Sequence, residues 1–308
     1  MQKKRKKRYR AKHMKRAQTR VWPVVLAAAL VTVIALGIVF GKDAAQFFSA
    51  KDTQNELQNL YRKSKTESVW DMILPRAYAE EVSEELLEQE MVIHEDFAEL
   101  YAQNPHVVGW LRAGEDIDYP VVQYDDAFYL DHDYFGKPNG NGTLFINAAN
   151  RLEPRDSILL IHGHNMKSGA MFGDLDDYRW YSYLCRYPII TFRTIWDAQD
   201  VCYVPIAAFD ASMNPDSVDY FNIGKIRFDF DIPADENGEE RSSELEEYIA
   251  QMRDLSLWDS PVEADSTDEF ITLVTCSYEY DNGRMMLVCR KLRDGETAED
   301  VAAQFAAQ

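Results

Sequence analysis

Apolar residues along this chain fall into three regimes. Val21 to Phe40, VWPVVLAAALVTVIALGIVF, is an unbroken run of twenty residues without a charge. From Glu80 to Gln103 the spacing turns helical: Val82, Leu86, Leu87, Met91, Phe97, Leu100 and Tyr101 recur at three- to four-residue steps, and Asn104-Pro105 ends the pattern. Beyond that come short runs rich in β-branched and aromatic residues, which predict strands. They are IDYPVVQY (117–124), GTLFINA (142–148), SILLIHG (157–163), PIITFRTI (188–195), QDVCYVPIAAF (199–209), KIRFDFDI (225–232), EFITLVTC (269–276) and RMMLVCRKL (284–292). Clusters such as Lys137 to Gly142 and Asp281-Asn282-Gly283 punctuate them as turns. Eight short strands with few helices predict a mainly β fold, an eight-stranded barrel that is closed or nearly so. One amphipathic helix is expected at 242–257, before the strand that ends in Cys276, with Ser242 as its cap. The tail TAEDVAAQFAAQ predicts a short surface helix or a frayed end.

Charge changes the picture. The 308 residues carry a formal −19, but the first twenty hold 11 Lys and Arg and no acid, leaving 22 basic against 52 acidic residues in the rest. At 1.5 Å per residue, 21–40 spans about 30 Å, enough to cross a bilayer core. A basic tail before such a run keeps the N-terminus in the cytoplasm and sends the body out. A cleaved signal peptide would have a shorter apolar core and a small-residue site directly after it, and Ala77-Tyr78-Ala79 lies far beyond Phe40. Positive-inside retention also accounts for the tail better than nucleic-acid binding. The expected organisation is a cytoplasmic tail (1–20), a transmembrane helix (21–40), a stalk (41–79), an extracellular catalytic domain (80–294) and a C-terminal tail (295–308).

Cys185, Cys202, Cys276 and Cys289 form no CxxC pair and no zinc-like spacing. A Cys185–Cys202 bridge is open to an exported domain; otherwise buried thiols are the default for all but Cys276. The stretch ITLVTCSYEYDNGRMML (271–287) is different. Asp281-Asn282-Gly283 is a hairpin signal, so Cys276 closing one strand and Arg284 opening the next come to the same rim of the sheet. A nearby cation favours thiolate, and a guanidinium fork suits an oxyanion. The competing reading is a buried Cys beside a solvated Arg. His162 and His164 flank Gly163 at the end of another strand, facing one way. They could be a metal pair, although no third ligand stands near, or one of them could be a catalytic imidazole; the residues alone do not choose between them.

The residues Gly163-His164-Asn165-Met166-Lys167-Ser168-Gly169-Ala170-Met171-Phe172, followed by Thr272-Leu273-Val274-Thr275-Cys276 and then Arg284, resemble the sortases. The upstream segments NPHVVGWLRAGEDIDYPVVQ (104–123) and DDAFYLDHDYFGKPNGNGTLFIN (125–147) resemble class B members in particular, and the likeness extends over about residues 80 to 294. It implies a membrane-anchored cysteine transpeptidase of Gram-positive type that needs no cofactor and no metal. Cys276 would be the nucleophile, His164 the proton carrier and Arg284 the oxyanion partner. The substrates implied are surface proteins with a Leu-Pro-x-Thr-Gly or Asn-Pro-x-Thr-like signal. The acceptor is an amine on a peptidoglycan precursor or a pilin, and the partners include the membrane but no nucleic acid. Asp126, Leu130, His162, Val274, Thr275 and Ser277 are expected along the substrate cleft, with Ala170-Met171-Phe172 overhanging it. Many class B members have Tyr in place of His162 and Ser in place of Val274. A third acid would be Glu279 or Asp281. The alternatives are a cysteine peptidase with water as acceptor and a non-catalytic tethered barrel.

Overall fold

The computed structural model describes residues 25, 27–32, 45, 48–63, 92–217, 220–221, 239–277 and 282–307. Residues Met1–Ser49 form one compact unit and Ala50–Gln308 a second. In the first, residues 27–32 are helical. Among the described residues no helix is long and apolar enough to cross a membrane; most of 21–40, and the strand expected at 225–232, lie outside them.

The second unit is a closed barrel of eight strands: β1 (Val107–Ala113), β2 (Ile117–Val122), β3 (Leu144–Ile146), β4 (Ile158–His162), β5 (Ile190–Thr194), β6 (Val201–Ser212), β7 (Phe270–Ser277) and β8 (Gly283–Lys291). They join in the order β1-β2-β3-β4-β7-β8-β6-β5. Only β2–β3 and β4–β7 are parallel. β4 and β7 are buried almost end to end, so they read in sequence as continuous apolar runs rather than alternating ones. Seven of the expected strands are present. β1 was absent from the sequence reading, because Gly109 and Arg112 break its apolar run; its residues nonetheless pair with both β2 and β5.

Helices clothe the barrel: α1 (residues 50–63), α2 (Ala98–Gln103), α3 (Tyr181–Arg186), α4 (Glu239–Leu255) and α5 (Ala298–Ala306). In α1, within the region read as a stalk, Leu57 and Tyr61 are buried and the Tyr61 ring stacks on Trp110 of β1 at 4.5 Å. The long helix expected before the Cys strand is α4, shifted by two or three residues. Leu245, Ile249 and Met252 form its buried stripe at four- and three-residue spacing. The C-terminal helix is neither frayed nor merely superficial. Thr297 caps α5 by accepting from the Asp300 N–H at 3.1 Å, and Val301 and Phe305 join the main core.

Because Phe305 is buried on a terminal helix, Phe305→Ala should destabilise the second unit by about 3 kcal/mol. Urea unfolding followed by tryptophan fluorescence checks this. A loss under about 0.5 kcal/mol, the range of ordinary surface changes, would mean that α5 contributes nothing to the core.

Candidate active site

The β7–β8 ladder sets Cys276 directly opposite Arg284 and Ser277 opposite Gly283. In an antiparallel pair, opposed residues share a face with Cβ atoms about 5 Å apart. Asn282 carries φ 55°, the left-handed conformation a tight hairpin demands and Asn tolerates. Glu279 and Asp281, the candidate third acids, lie outside the described residues.

The histidine arrives from β4, which runs parallel to β7 with His162 opposite Val274. Two bonds extend that pairing. The Gly163 N–H donates to Val274 O at 3.1 Å, and Thr275 Oγ1 donates to Gly163 O at 2.8 Å. A Cβ at Gly163 would sit 2.4 Å from a Leu144 methyl and 2.7 Å from the Phe172 ring, so any side chain there would have to displace both. His164 follows at once. Its Nε2 donates to Leu130 O at 2.6 Å. Beneath that carbonyl is Gly142, at φ +63°, where a Cβ would lie 2.9 Å from Leu130 O and 3.1 Å from the His164 ring.

The electrostatics follow from these placements. The Cys276 thiol is half-buried and its pKa is lowered, first by a hydrogen bond with His164, then by the Arg284 guanidinium. The pKa of His164 is raised, chiefly by the bond with Cys276 and further by the Leu130 carbonyl, against the burial that opposes it. Both shifts move the pair toward the thiolate–imidazolium form. Arg284 Nη1 also donates to Gly283 O at 2.8 Å, which keeps the guanidinium at the rim. The other thiols differ: burial pushes Cys289 well up and Cys202 up. All four cysteines are free, so the Cys185–Cys202 bridge is not formed.

The remaining expected residues fall in several places. Leu130 meets His164 through its backbone carbonyl, with its side chain exposed. Asp126 accepts from the Ala148 N–H at 2.7 Å and lies close enough to act on His162 by charge. Val274, at 1 % exposed, is part of the main core. Thr275 and Ser277 are buried, the first bonded to Gly163 O and the second donating to Asp210 Oδ1 at 2.6 Å. Ala170, Met171 and Phe172 are buried too. That segment is scaffold under the loop and not an overhang. His162 and His164 diverge: the His162 ring stacks on Phe145 at 5.2 Å, and its Nε2 is buried without a hydrogen-bond partner. Sequence reasoning missed Asn165, whose amide donates to Cys276 O at 2.9 Å and to Asp176 Oδ2 at 2.8 Å. Its place beside His164 inside the recognised segment was the available signal.

The chain is 30 % identical over 199 residues to sortase B of Listeria monocytogenes, an alignment covering 63 % of this chain and 73 % of that protein. The chain belongs to the sortase B family. No family model matches it. A solved sortase B of Bacillus anthracis superposes with a TM-score of 0.60 at 21 % identity, covering 81 % of this chain and 99 % of that one. A Staphylococcus aureus sortase B–substrate complex does so with 0.59 at 20 %, covering 80 % and 98 %; at such identities these two likenesses concern the fold. As a sortase of class B type the chain is a cysteine transpeptidase, which the barrel, its N-terminal helices and the half-buried thiol at its rim suit.

Burial holds His162 neutral by pushing its pKa down from 6.5 to about 4. A folded pKa below the unfolded one gives stability that is present above pH 6.5 and is lost as pH falls through 6.5 toward 4, on the order of 3 kcal/mol in all. His162→Tyr should flatten that decline. Urea midpoints measured at pH 7, 5.5 and 4.5 for both proteins check it, and parallel declines would count against a buried neutral imidazole at 162.

Proposed function

We propose that this sortase cleaves a Leu-Pro-x-Thr-Gly or Asn-Pro-x-Thr-like sorting signal after its Thr and transfers the carboxyl end to an amine on a peptidoglycan precursor or a pilin. The observation that carries the reading is one half-buried thiol whose pKa is lowered by its hydrogen bond with His164 and by Arg284, its cross-strand partner. Cys276 Sγ attacks the Thr carbonyl carbon, and the oxyanion that forms faces the Arg284 fork. As the Thr–Gly bond breaks, protonated His164 gives its proton to the leaving amine, and a thioester remains. An incoming amine then attacks the thioester while neutral His164 takes its proton, and thiolate leaves, which restores the starting charges. The Leu130 carbonyl can only accept, so it keeps a proton on Nε2 and leaves Nδ1 for the transfer.

Of the cleft residues, Asp126 and Leu130 are the parts of the rim from which a signal peptide would be read, with His162, Val274, Thr275 and Ser277 supporting it from below. Anchoring belongs to the same reading. The charge-free run 21–40 behind a basic tail would hold the enzyme as a single-pass protein with its catalytic unit outside. There it would meet lipid-linked acceptors at raised effective concentration.

Incubating the full-length protein in detergent with sorting-signal peptides and a millimolar amine should give mostly the new amide by mass spectrometry. Free acid alone, at the rate seen without amine, would favour hydrolysis. Cys276→Ala should abolish acyl transfer with the fold kept. His164→Ala should cost about 10²- to 10⁴-fold and Arg284→Ala about 10²- to 10³-fold, whereas His162→Tyr should stay within about tenfold, or 1.4 kcal/mol of barrier. An active His164→Ala beside a dead His162→Tyr would reassign the imidazole.

A further inference from the structure

Behind the cysteine strand runs a ring of polar contacts that the proposed chemistry does not use. Asn165 lies on the loop one residue past His164 and is only 8 % exposed. One side-chain amide nitrogen, Nδ2, spans two acceptors on different elements, the backbone carbonyl of Cys276 at 2.9 Å and Asp176 Oδ2 at 2.8 Å. Asp176 sits in the 3₁₀ turn Gly173–Arg179, where Arg179 Nη2 reaches its other oxygen at 3.4 Å. Arg179 forks onto Asp210 of β6, with Nη2 2.6 Å from Oδ1. Asp210 Oδ1 accepts from Ser277 Oγ at 2.6 Å, and Arg179 Nη2 also donates to Ser277 Oγ at 3.2 Å. Ser277 is the residue after Cys276, so the ring closes upon the strand it started from. It joins three separate elements, the loop after β4, the 3₁₀ turn and β6, to the Cys276 carbonyl and to the side chain of the residue that follows it.

We propose that Asn165 is a positioning residue for the Cys276–His164 pair, fixing the histidine's backbone relative to the cysteine's carbonyl, with Asp176 and the Arg179–Asp210–Ser277 cluster holding the amide in place. This rests on the reading of Cys276 and His164 as the reacting pair. The chemistry of the amide favours such a role. An Asn nitrogen carries two hydrogens at a fixed planar angle and can satisfy two acceptors at once. A carboxylate in its place would set an acceptor against a carbonyl and another carboxylate. Among the described residues the imidazole ring has the Leu130 carbonyl and the thiol as its partners. Its main chain is therefore the remaining freedom, and Asn165 is the next residue along it. Misplacement of a reacting group by about 1 Å can cost on the order of 10²-fold in rate.

The test uses the full-length protein and Asn165→Ala, with Cys276→Ala as reference. In Asn165→Ala, kcat for acylation should fall about 10- to 100-fold with KM within about threefold. The midpoint of Cys276 alkylation by iodoacetamide against pH should move up, because the His164 bond holds the thiolate. Among the described residues the other charged groups on the elements packed around the thiol, Arg284, Asp126, Asp176, Arg179 and Asp210, are unchanged by the substitution, and His162 stays neutral. A folded Asn165→Ala with wild-type kcat overturns the proposal. So does one that only melts earlier while its alkylation midpoint is unmoved, since that is a structural role. If Asn165→Ala does not fold, Asp176→Asn decides. It keeps the shape and removes the charge that grips the amide, so it should move the midpoint the same way by less, and an unmoved midpoint overturns the proposal. If Cys276→Ala still transfers acyl groups, the catalytic reading itself falls, an outcome distinct from a dead Cys276→Ala beside a wild-type-like Asn165→Ala.

Discussion

The antiparallel register that sets Cys276 opposite Arg284 is the constraint on which the site depends. A sheet offers few places where a nucleophile and a permanent cation are held a fixed distance apart by backbone bonds alone. A slip of one residue in that ladder would send one of them to the other face. The ladder is long, from Phe270↔Arg290 to Ser277↔Gly283, and most of its residues are buried, so the core fixes the register that the chemistry needs. The structure's mainly apolar strands and its charged rim are thus one requirement and not two.

The imidazole is held by a different means. β4 lies parallel to β7, and parallel neighbours need a long crossover. Here part of that crossover supplies β5, β6 and α4, the elements that close and cover the barrel. What brings His164 within reach of the thiol is local: the two bonds across Gly163, the packing that crowds a side chain there, and the Leu130 carbonyl delivered by the 3₁₀ turn Phe128–Leu130 over Gly142. Two loops far apart in sequence hold one ring from both sides. Thiol and Leu130 carbonyl raise the proton affinity of that ring, and the ring lowers that of the thiol.

Strand chemistry was legible in the sequence wherever burial made the runs apolar. β7 and β8 were read almost to the residue, and the hairpin signal at Asn282-Gly283 placed Cys276 and Arg284 together before any fold was known. β1 was illegible, because a glycine and an arginine interrupt it and its order comes from partners on both sides. α5 was undervalued, since Val301 and Phe305 among alanines look like a weak stripe until the core that takes them is known. The imidazole could not be chosen from spacing: His162 and His164 share a strand-end pattern, and only the surroundings separate a ring stacked on Phe145 from one bonded to Leu130. Asn165, Asp176, Arg179 and Asp210 are ordinary polar residues in sequence, and their association is wholly tertiary.

The bond from Asn165 to Cys276 O joins residues 111 apart in the chain. Nothing local can make that bond early, because loop closure over such a span is repaid only when the intervening strands are in place. Until then the thiol lacks its imidazole, whereas Arg284 reaches it through the local β7–β8 hairpin. The imidazole comes to the thiol across the β4–β7 ladder, so the pair exists only where those two strands lie side by side. The fold therefore divides the site by range: the guanidinium is a neighbour in sequence, and the imidazole is a neighbour only in the assembled barrel.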